Sequence, residues 1–204
     1  MLFRSSRIVW LQLAGVMAMR RGDLEAAGVW LEELRSMALS TGEPQRIVPM
    51  VCVVVPWLFV AGRSEELRSL VEAVTTTLDG RWPAVQTAVP VVRGLAAANE
   101  ATLLQQTVDS MRRTPSEGHT AMLRTTLTAG EGLLALLQGR ADDAVERLTA
   151  AIDEEREAGF LYDAACLELD LARALEAQGR ADAAAEARTR AASVLEPLGV
   201  LNAF

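Results

Sequence analysis

Few side chains in this sequence could take part in acid–base, nucleophilic or metal chemistry. All 20 basic residues are arginine and none is lysine, which excludes a Schiff-base lysine, a lysine general base and the lysine of a phosphate-binding loop. The one histidine, His119, follows Pro-Ser-Glu-Gly and opens a predicted helix, where a solvated or capping role is the simplest interpretation. A Ser-His-Asp or Cys-His arrangement would depend on this residue, and a histidine-rich metal site cannot form.

The cysteines and the acidic residues give no clearer sign of chemistry. Cys52 and Cys166 lie far apart in apolar surroundings and lack the paired spacing of a disulfide framework or a zinc site, which indicates buried thiols in a reducing cytoplasm. The acidic run at 153–157 lacks the ligand spacing of a calcium loop and is typical of a solvated helix face. We therefore expect a cytoplasmic protein that is not an enzyme and uses no cofactor or metal.

Composition and charge predict the elements and exclude two classes of partner. The chain has 34 alanines and 29 leucines against 14 glycines and 7 prolines in 204 residues, which predicts an all-α fold. The formal charge of -7 opposes direct binding of nucleic acid. The apolar run at 47–61 contains Pro49 and Pro56 and is shorter than the roughly 20 residues of a membrane span, so it predicts a buried, kinked helix.

An internal repeat organises the chain. Four segments share a glycine followed by charged residues and then a small or aliphatic residue, and their glycines are Gly22, Gly62, Gly139 and Gly179. The intervals are 40, 77 and 40 residues, and the long one is close to two repeat lengths. A degenerate copy is therefore expected near residue 100, where Asn99 can adopt the left-handed conformation that ends a helix. The spacing predicts five repeats with a period near 40 residues.

Each repeat is predicted to form two helices around that turn. The five hairpins span 6–39, 46–78, 84–112, 119–158 and 160–196 within one domain of residues 1–204. Positions five and twelve residues after each turn lie on one helix face and are expected to pack against the preceding helix. These positions are Ala27, Leu67, Leu104, Ala144 and Ala184, and Leu34, Val74, Met111, Ala151 and Ala191.

This pattern resembles the tetratricopeptide repeat (TPR). The glycine and the two alanines of that motif are present at Gly139, Ala144 and Ala151, and again at Gly179, Ala184 and Ala191. The period exceeds the roughly 34 residues of a standard repeat. In this respect the chain is similar to the C-terminal TPR-like regions of bacterial signalling proteins, such as ATPase-containing adenylate and guanylate cyclases and LuxR-type transcriptional regulators.

The resemblance implies a right-handed α-solenoid that serves as a non-catalytic protein–protein interaction or regulatory module, and it brings no catalytic residues. Two alternatives stay open: a free-standing dimeric scaffold protein, and a solenoid that senses a small ligand, as in LuxR-type regulators. The first predicted helix is apolar nearly all round, which is unusual for a solenoid end. We therefore expect a fragment of a longer protein, in which an upstream domain covers that helix, or a homodimer formed through it. Residues 1–5 match the in-frame translation of a common sequencing adapter, which raises the hypothesis that they are foreign to the natural protein.

Charge and aromatic residues suggest where a partner would bind. In repeats one to four, the first-helix regions hold seven arginines and two acids, whereas the second-helix regions hold eight arginines and sixteen acids. First helices usually line the concave face of such folds, so Arg20, Arg46, Arg93 and Arg124 are candidates for binding an acidic or phosphorylated peptide. The alternative is that the outer helices simply carry more solvating charge. Trp82 precedes a proline in a loop and is predicted to be an exposed anchor for a partner.

Overall fold

The computed structural model describes residues 2–82, 88–115 and 120–199, with side chains from residue 6 onward. These residues form ten α-helices and no strand, which confirms the all-α prediction. The helices are α1 Leu2–Arg20, α2 Leu24–Thr41, α3 Pro44–Val60, α4 Ser64–Thr77, α5 Val89–Ala97, α6 Ala101–Arg112, α7 Ala121–Leu137, α8 Ala141–Glu157, α9 Leu161–Ala177 and α10 Ala181–Leu195. His119 and the predicted helix starts at 84 and 119 lie outside the described residues.

Tight left-handed turns join the helices in consecutive pairs, from α1 and α2 to α9 and α10. The turn residues all have a positive φ, and they are Gly22 (77°), Gly62 (70°), Asn99 (59°), Gly139 (73°) and Gly179 (74°). Asn99 is the one non-glycine residue in the described chain with such a value. Asparagine tolerates this conformation better than other side chains, which is why the degenerate repeat keeps its turn without a glycine.

Helices pack mainly against their neighbours along the chain and against the next helix but one. The first helices of successive pairs form a row in which α1 contacts α3, α3 contacts α5, α5 contacts α7 and α7 contacts α9. The ten positions predicted to face the preceding helix are all buried, with exposed fractions of 0–1%. At the centre of the row α3 and α5 lie close together. A Cβ atom, if added to Gly94, would be only 2.3 Å from Cγ1 of Val55.

The apolar segment predicted to be a buried helix forms α3, in which eleven of the 17 residues are buried. Pro49 and Pro56 lie inside this helix. No helix in the described part of the chain is long and apolar enough to cross a membrane. Ion pairs at the second helices and their starts connect successive helix pairs. Examples are Arg63 with Glu32 (2.6 Å) and Arg68 with Glu100 (2.6 Å).

The turn at Asn99 gives a direct test of the repeat. We expect Asn99→Ala to lower the free energy of unfolding by about 1 kcal/mol, because alanine is strained in the left-handed region. Asn99→Gly should keep or raise stability, because glycine adopts this conformation without strain. Urea denaturation followed by circular dichroism measures both. Equal stability of the alanine and glycine variants would contradict the assignment of this residue as the third repeat turn.

Candidate functional site

A cavity lies on the inner side of the row of first helices, where α1, α3 and α5 face α9. Its volume is about 270 Å³. Most of its wall is apolar, with Val16 and Met19 from α1, Val53 and Pro56 from α3, and Pro90 from α5. The polar side chains on the wall are Gln12, Arg20, Arg93, Tyr162, Asp163 and Cys166. The cavity therefore combines an apolar body with a small polar group, as ligand pockets commonly do.

The end of α1 and the start of α9 meet across this cavity. Arg20 is the last residue of α1, and its guanidinium carbon lies 4.6 Å from the centre of the Tyr162 ring. A guanidinium over an aromatic ring is a favourable cation–π contact. The first and last helix pairs, distant in sequence, are thereby brought to one site.

A buried ion pair fixes α9 against α5. Nε of Arg93 donates to Oδ2 of Asp170 at 2.5 Å, and both side chains are at least nine-tenths buried. Burial disfavours the charged guanidinium, but the Asp170 carboxylate outweighs this effect, so the pKa of Arg93 lies above its ordinary value. Arg173 also approaches Asp170, at 3.5 Å. Arg93, which lies on the cavity wall, is thus held by a structural partner, Asp170.

Asp163 is a carboxyl group of the site without a direct hydrogen-bond partner in the described protein. Its half-buried carboxyl makes no hydrogen bond or ion pair within the described residues. Burial raises its pKa from the ordinary 3.8 to about 6, against the opposing effect of the charges on Arg93 and Arg20. A carboxyl group in this state gains from a polar or cationic partner more than an exposed one does.

Tyr162 and Cys166 complete the polar wall. Burial raises the pKa of the Cys166 thiol and of the Tyr162 hydroxyl. Both groups are therefore protonated at neutral pH, and neither is activated as a nucleophile. In the described part of the chain, including this cavity, no three residues of the types His, Cys, Asp or Glu cluster closely enough to hold a metal ion.

Comparison with known proteins leaves the family open. No protein-family model, curated protein or solved structure matches this chain. The residues of the cavity are therefore interpreted from their own geometry and chemistry.

The structure brings together two of the four predicted groove arginines. Arg20 and Arg93 line the cavity. Arg46 instead pairs with Glu43 in the first turn of α3, with 2.7 Å between Nε and Oε2, and Arg124 is exposed near the start of α7. The inner face is not uniformly basic either, because Asp163 and Asp170 accompany the two arginines.

The prediction that Trp82 is exposed is wrong. Its side chain is 3% exposed, and its indole Nε1 donates to Oγ of Ser110 at 2.9 Å. Its backbone N–H donates to Oγ1 of Thr114 at 3.3 Å. The segment before Pro83 folds onto the end of α6, because the large ring finds both an apolar site and a hydrogen-bond acceptor there.

The exposed tryptophan is Trp10, on the side of α1 that faces away from α3. It contacts Trp30 of α2 edge-on, with ring centres 4.8 Å apart. Together with Val9, Leu13 and Met17 it forms an apolar stripe, each residue 47–59% exposed, which we name the α1 surface. Solvent-exposed apolar residues clustered in this way mark interaction sites.

The residues on α9 were missed from the sequence although a signal was present. Asp163, Cys166 and Asp170 recur at intervals of three and four residues and so lie on one helix face. Polar residues on a face that is otherwise apolar indicate a lined cavity or a buried ion pair. Asp163 also lies in the first turn of α9, where an acidic residue favours its helix electrostatically.

The ion pair between α5 and α9 is predicted to be a strong structural constraint. Arg93→Met leaves the buried Asp170 with only the exposed Arg173 at 3.5 Å, so we expect a loss of about 3–5 kcal/mol in the free energy of unfolding. The double variant Arg93→Met with Asp170→Leu should recover most of this loss. Arg112→Met, which removes surface ion pairs with Asp109 and Glu131, is the matched control and should cost less than about 1 kcal/mol. Urea denaturation would contradict this prediction if Arg93→Met were no more destabilising than the control.

The raised pKa of Asp163 predicts a pH dependence of stability. Between about pH 4 and pH 6 the unfolded chain releases the Asp163 proton while the folded protein keeps it. Stability therefore falls as pH rises through this window and is constant above it. Asp163→Asn stays neutral, so it should be more stable than the wild type above pH 6, by roughly 1–3 kcal/mol.

The control for this measurement is Asp182→Asn, which changes an exposed aspartate in the first turn of α10. Unfolding free energies measured across the pH range decide the outcome. If the wild type and Asp163→Asn ran parallel from pH 4 to pH 7, Asp163 would not lie in the environment described.

Proposed function

We propose that this chain is a non-catalytic interaction and regulatory module built of TPR-like repeats, and that it binds its protein partner through the α1 surface. The observation that carries the proposal is the outward apolar stripe of Val9, Trp10, Leu13 and Met17 on α1. An interface core of this type is apolar and aromatic. The proposal includes the cytoplasm as the location, since both cysteines are buried and neither is in a disulfide.

Three features support a TPR-like solenoid. The left-handed turns within the five helix pairs recur near every 40 residues, and further left-handed glycines such as Gly42 and Gly159 lie between the pairs. The small residues Ala144, Ala151, Ala184 and Ala191 are fully buried where the second helix of each pair meets its neighbours. The first helices also contact one another in sequence order, as they do in a stack of repeats. We place the module among the C-terminal regions of bacterial signalling or transcription-regulating proteins on the resemblance of its last two repeats.

The state of the polar groups supports a role without catalysis. The thiol of Cys166 and the hydroxyl of Tyr162 are held protonated by burial, and Arg93 is engaged by Asp170. The chain has no lysine and one histidine. Binding of a partner requires none of these groups to be activated.

The apolar chemistry of the α1 surface favours an apolar helix as its occupant. Each first helix contacts the next first helix in the row, from α1 to α9. A helix that continues this row against α1 would bury the stripe in the same way. A second copy of the chain carries the same apolar stripe, so the two α1 surfaces can cover each other, and we expect this contact in purified protein.

This proposal predicts self-association that depends on α1. We expect the mass of the wild type in sedimentation velocity to rise with concentration towards that of a dimer. Val9→Ser with Leu13→Ser should weaken dimerisation at least tenfold, or by about 1.4 kcal/mol, because the exposed apolar area is lost. These two positions avoid the contact between Trp10 and Trp30, so circular dichroism and the unfolding midpoint should be nearly unchanged.

Leu198→Ser is the matched control, because Leu198 is also about half exposed but lies beyond α10. It should dimerise like the wild type. A wild type that stays monomeric at every concentration, or a double serine variant that dimerises equally well, would overturn the proposed role of the α1 surface.

A further inference from the structure

We propose that the inner cavity binds a small zwitterion with an apolar body, of the class of apolar α-amino acids, with its carboxylate on Arg20 and its ammonium group on Asp163. None of the four residues of the proposed protein interface lines this cavity. The inference is thus independent of the proposed function.

The walls and the size of the cavity set the body of the ligand. Side chains from four helices converge on it, and Val16, Met19, Val53 and Pro56 give an apolar surface. The volume of about 270 Å³ lies just under the roughly 300–1,000 Å³ of pockets for drug-sized molecules. The cavity therefore suits a smaller molecule with a branched aliphatic or aromatic side chain.

Arg20 supplies the positive group. Its guanidinium is stacked on Tyr162, and it forms no ion pair within the described residues. A guanidinium held by its face keeps its N–H groups at the edge, where they can donate two parallel hydrogen bonds to a carboxylate. Arg93, by contrast, is already bonded to Asp170, so it shapes the wall and leaves Arg20 as the anion-binding residue.

Asp163 supplies the negative group. Its carboxyl lies on the same wall, half-buried and without a hydrogen bond or ion pair from the described residues. Burial without a partner disfavours its charged form, as the pKa of about 6 shows. An ammonium group beside it would stabilise the carboxylate by a charge-assisted hydrogen bond.

The pair of opposite charges selects against ligands with one charge. A simple carboxylate would satisfy Arg20 but would place its own charge near Asp163. A simple amine would satisfy Asp163 but would lie near the guanidinium groups of Arg20 and Arg93. A zwitterion satisfies both groups at once, and like-charge contacts of the other two classes reduce their affinity.

Isothermal titration calorimetry with three probes of the same carbon skeleton tests this inference. The probes are L-leucine, 4-methylpentanoate, which lacks the ammonium group, and 3-methylbutylamine, which lacks the carboxylate. The titrations are made above pH 7, where Asp163 with its pKa of about 6 is ionised. Leucine should bind at least tenfold more tightly than either analogue. Failure of leucine to bind, or equal affinity of either analogue, would overturn the inference.

Variants assign the two contacts separately. Arg20→Gln should weaken binding of leucine at least tenfold, and Asp163→Asn should do the same while leaving binding of 4-methylpentanoate equal or stronger. Arg21→Gln is the matched control, because the adjacent Arg21 is exposed and does not line the cavity. Leucine affinity unchanged by Asp163→Asn in a variant that folds normally would contradict the assignment.

The two proposals fail separately. The double variant Val9→Ser with Leu13→Ser leaves the cavity wall intact and should bind leucine as the wild type does. Loss of dimerisation in that variant with retained leucine binding supports both proposals. Leucine binding by a strictly monomeric protein would overturn only the role of the α1 surface.

Discussion

The buried ion pair between Arg93 and Asp170 is the interaction on which the inner side of this protein depends. A guanidinium and a carboxylate can be buried only together, since either alone carries a large desolvation cost. Their contact holds α9 against α5. Because Asp170 and Tyr162 are on the same helix, α9 then presents Tyr162 to the end of α1, and the stack of helices encloses a cavity.

Helix α1 contributes residues both to the cavity and to the neighbouring α1 surface. Arg20, Val16 and Met19 line the cavity, whereas Val9, Trp10, Leu13 and Met17 are exposed and do not line it. A ligand that bridges Arg20 and Asp163 would add a link between α1 and α9. Such a link would change how firmly α1 is held, and under the proposed function this would couple ligand binding in the cavity to partner binding at the α1 surface.

Much of the local structure could be predicted from the sequence. Gly22, Gly62, Gly139 and Gly179 indicated the turns through their spacing, and Asn99 was assigned because few other side chains accept a left-handed conformation. The buried positions followed from a seven-residue return to one helix face. These inferences succeed because they depend on contacts between residues that are close in sequence.

The site could be predicted only in part, since it depends on how successive helix pairs are rotated in space. Arg20 and Arg93 were chosen for their helices and do line the cavity, but Arg46 and Arg124 lie elsewhere. The roles of Asp163 on the cavity wall and of Asp170 in the ion pair depend on the placement of α9 opposite α1 and α5, which the sequence does not reveal. The prediction that Trp82 is exposed was wrong because it used only the position of this residue in a loop next to a proline. The hydrogen-bond acceptor that helps to bury the ring, Ser110, lies on a later helix.

The placement of α9 opposite α1 is the central claim, and the one tyrosine of the chain reports on it directly. Nuclear Overhauser contacts from the ring protons of Tyr162 can be measured in protein labelled selectively at tyrosine and arginine. The structure predicts contacts to the side chain of Arg20, which lies 4.6 Å from the ring centre. A Tyr162 ring that contacts only residues of its own helix and none of α1 would contradict the closed inner face and the cavity that depends on it.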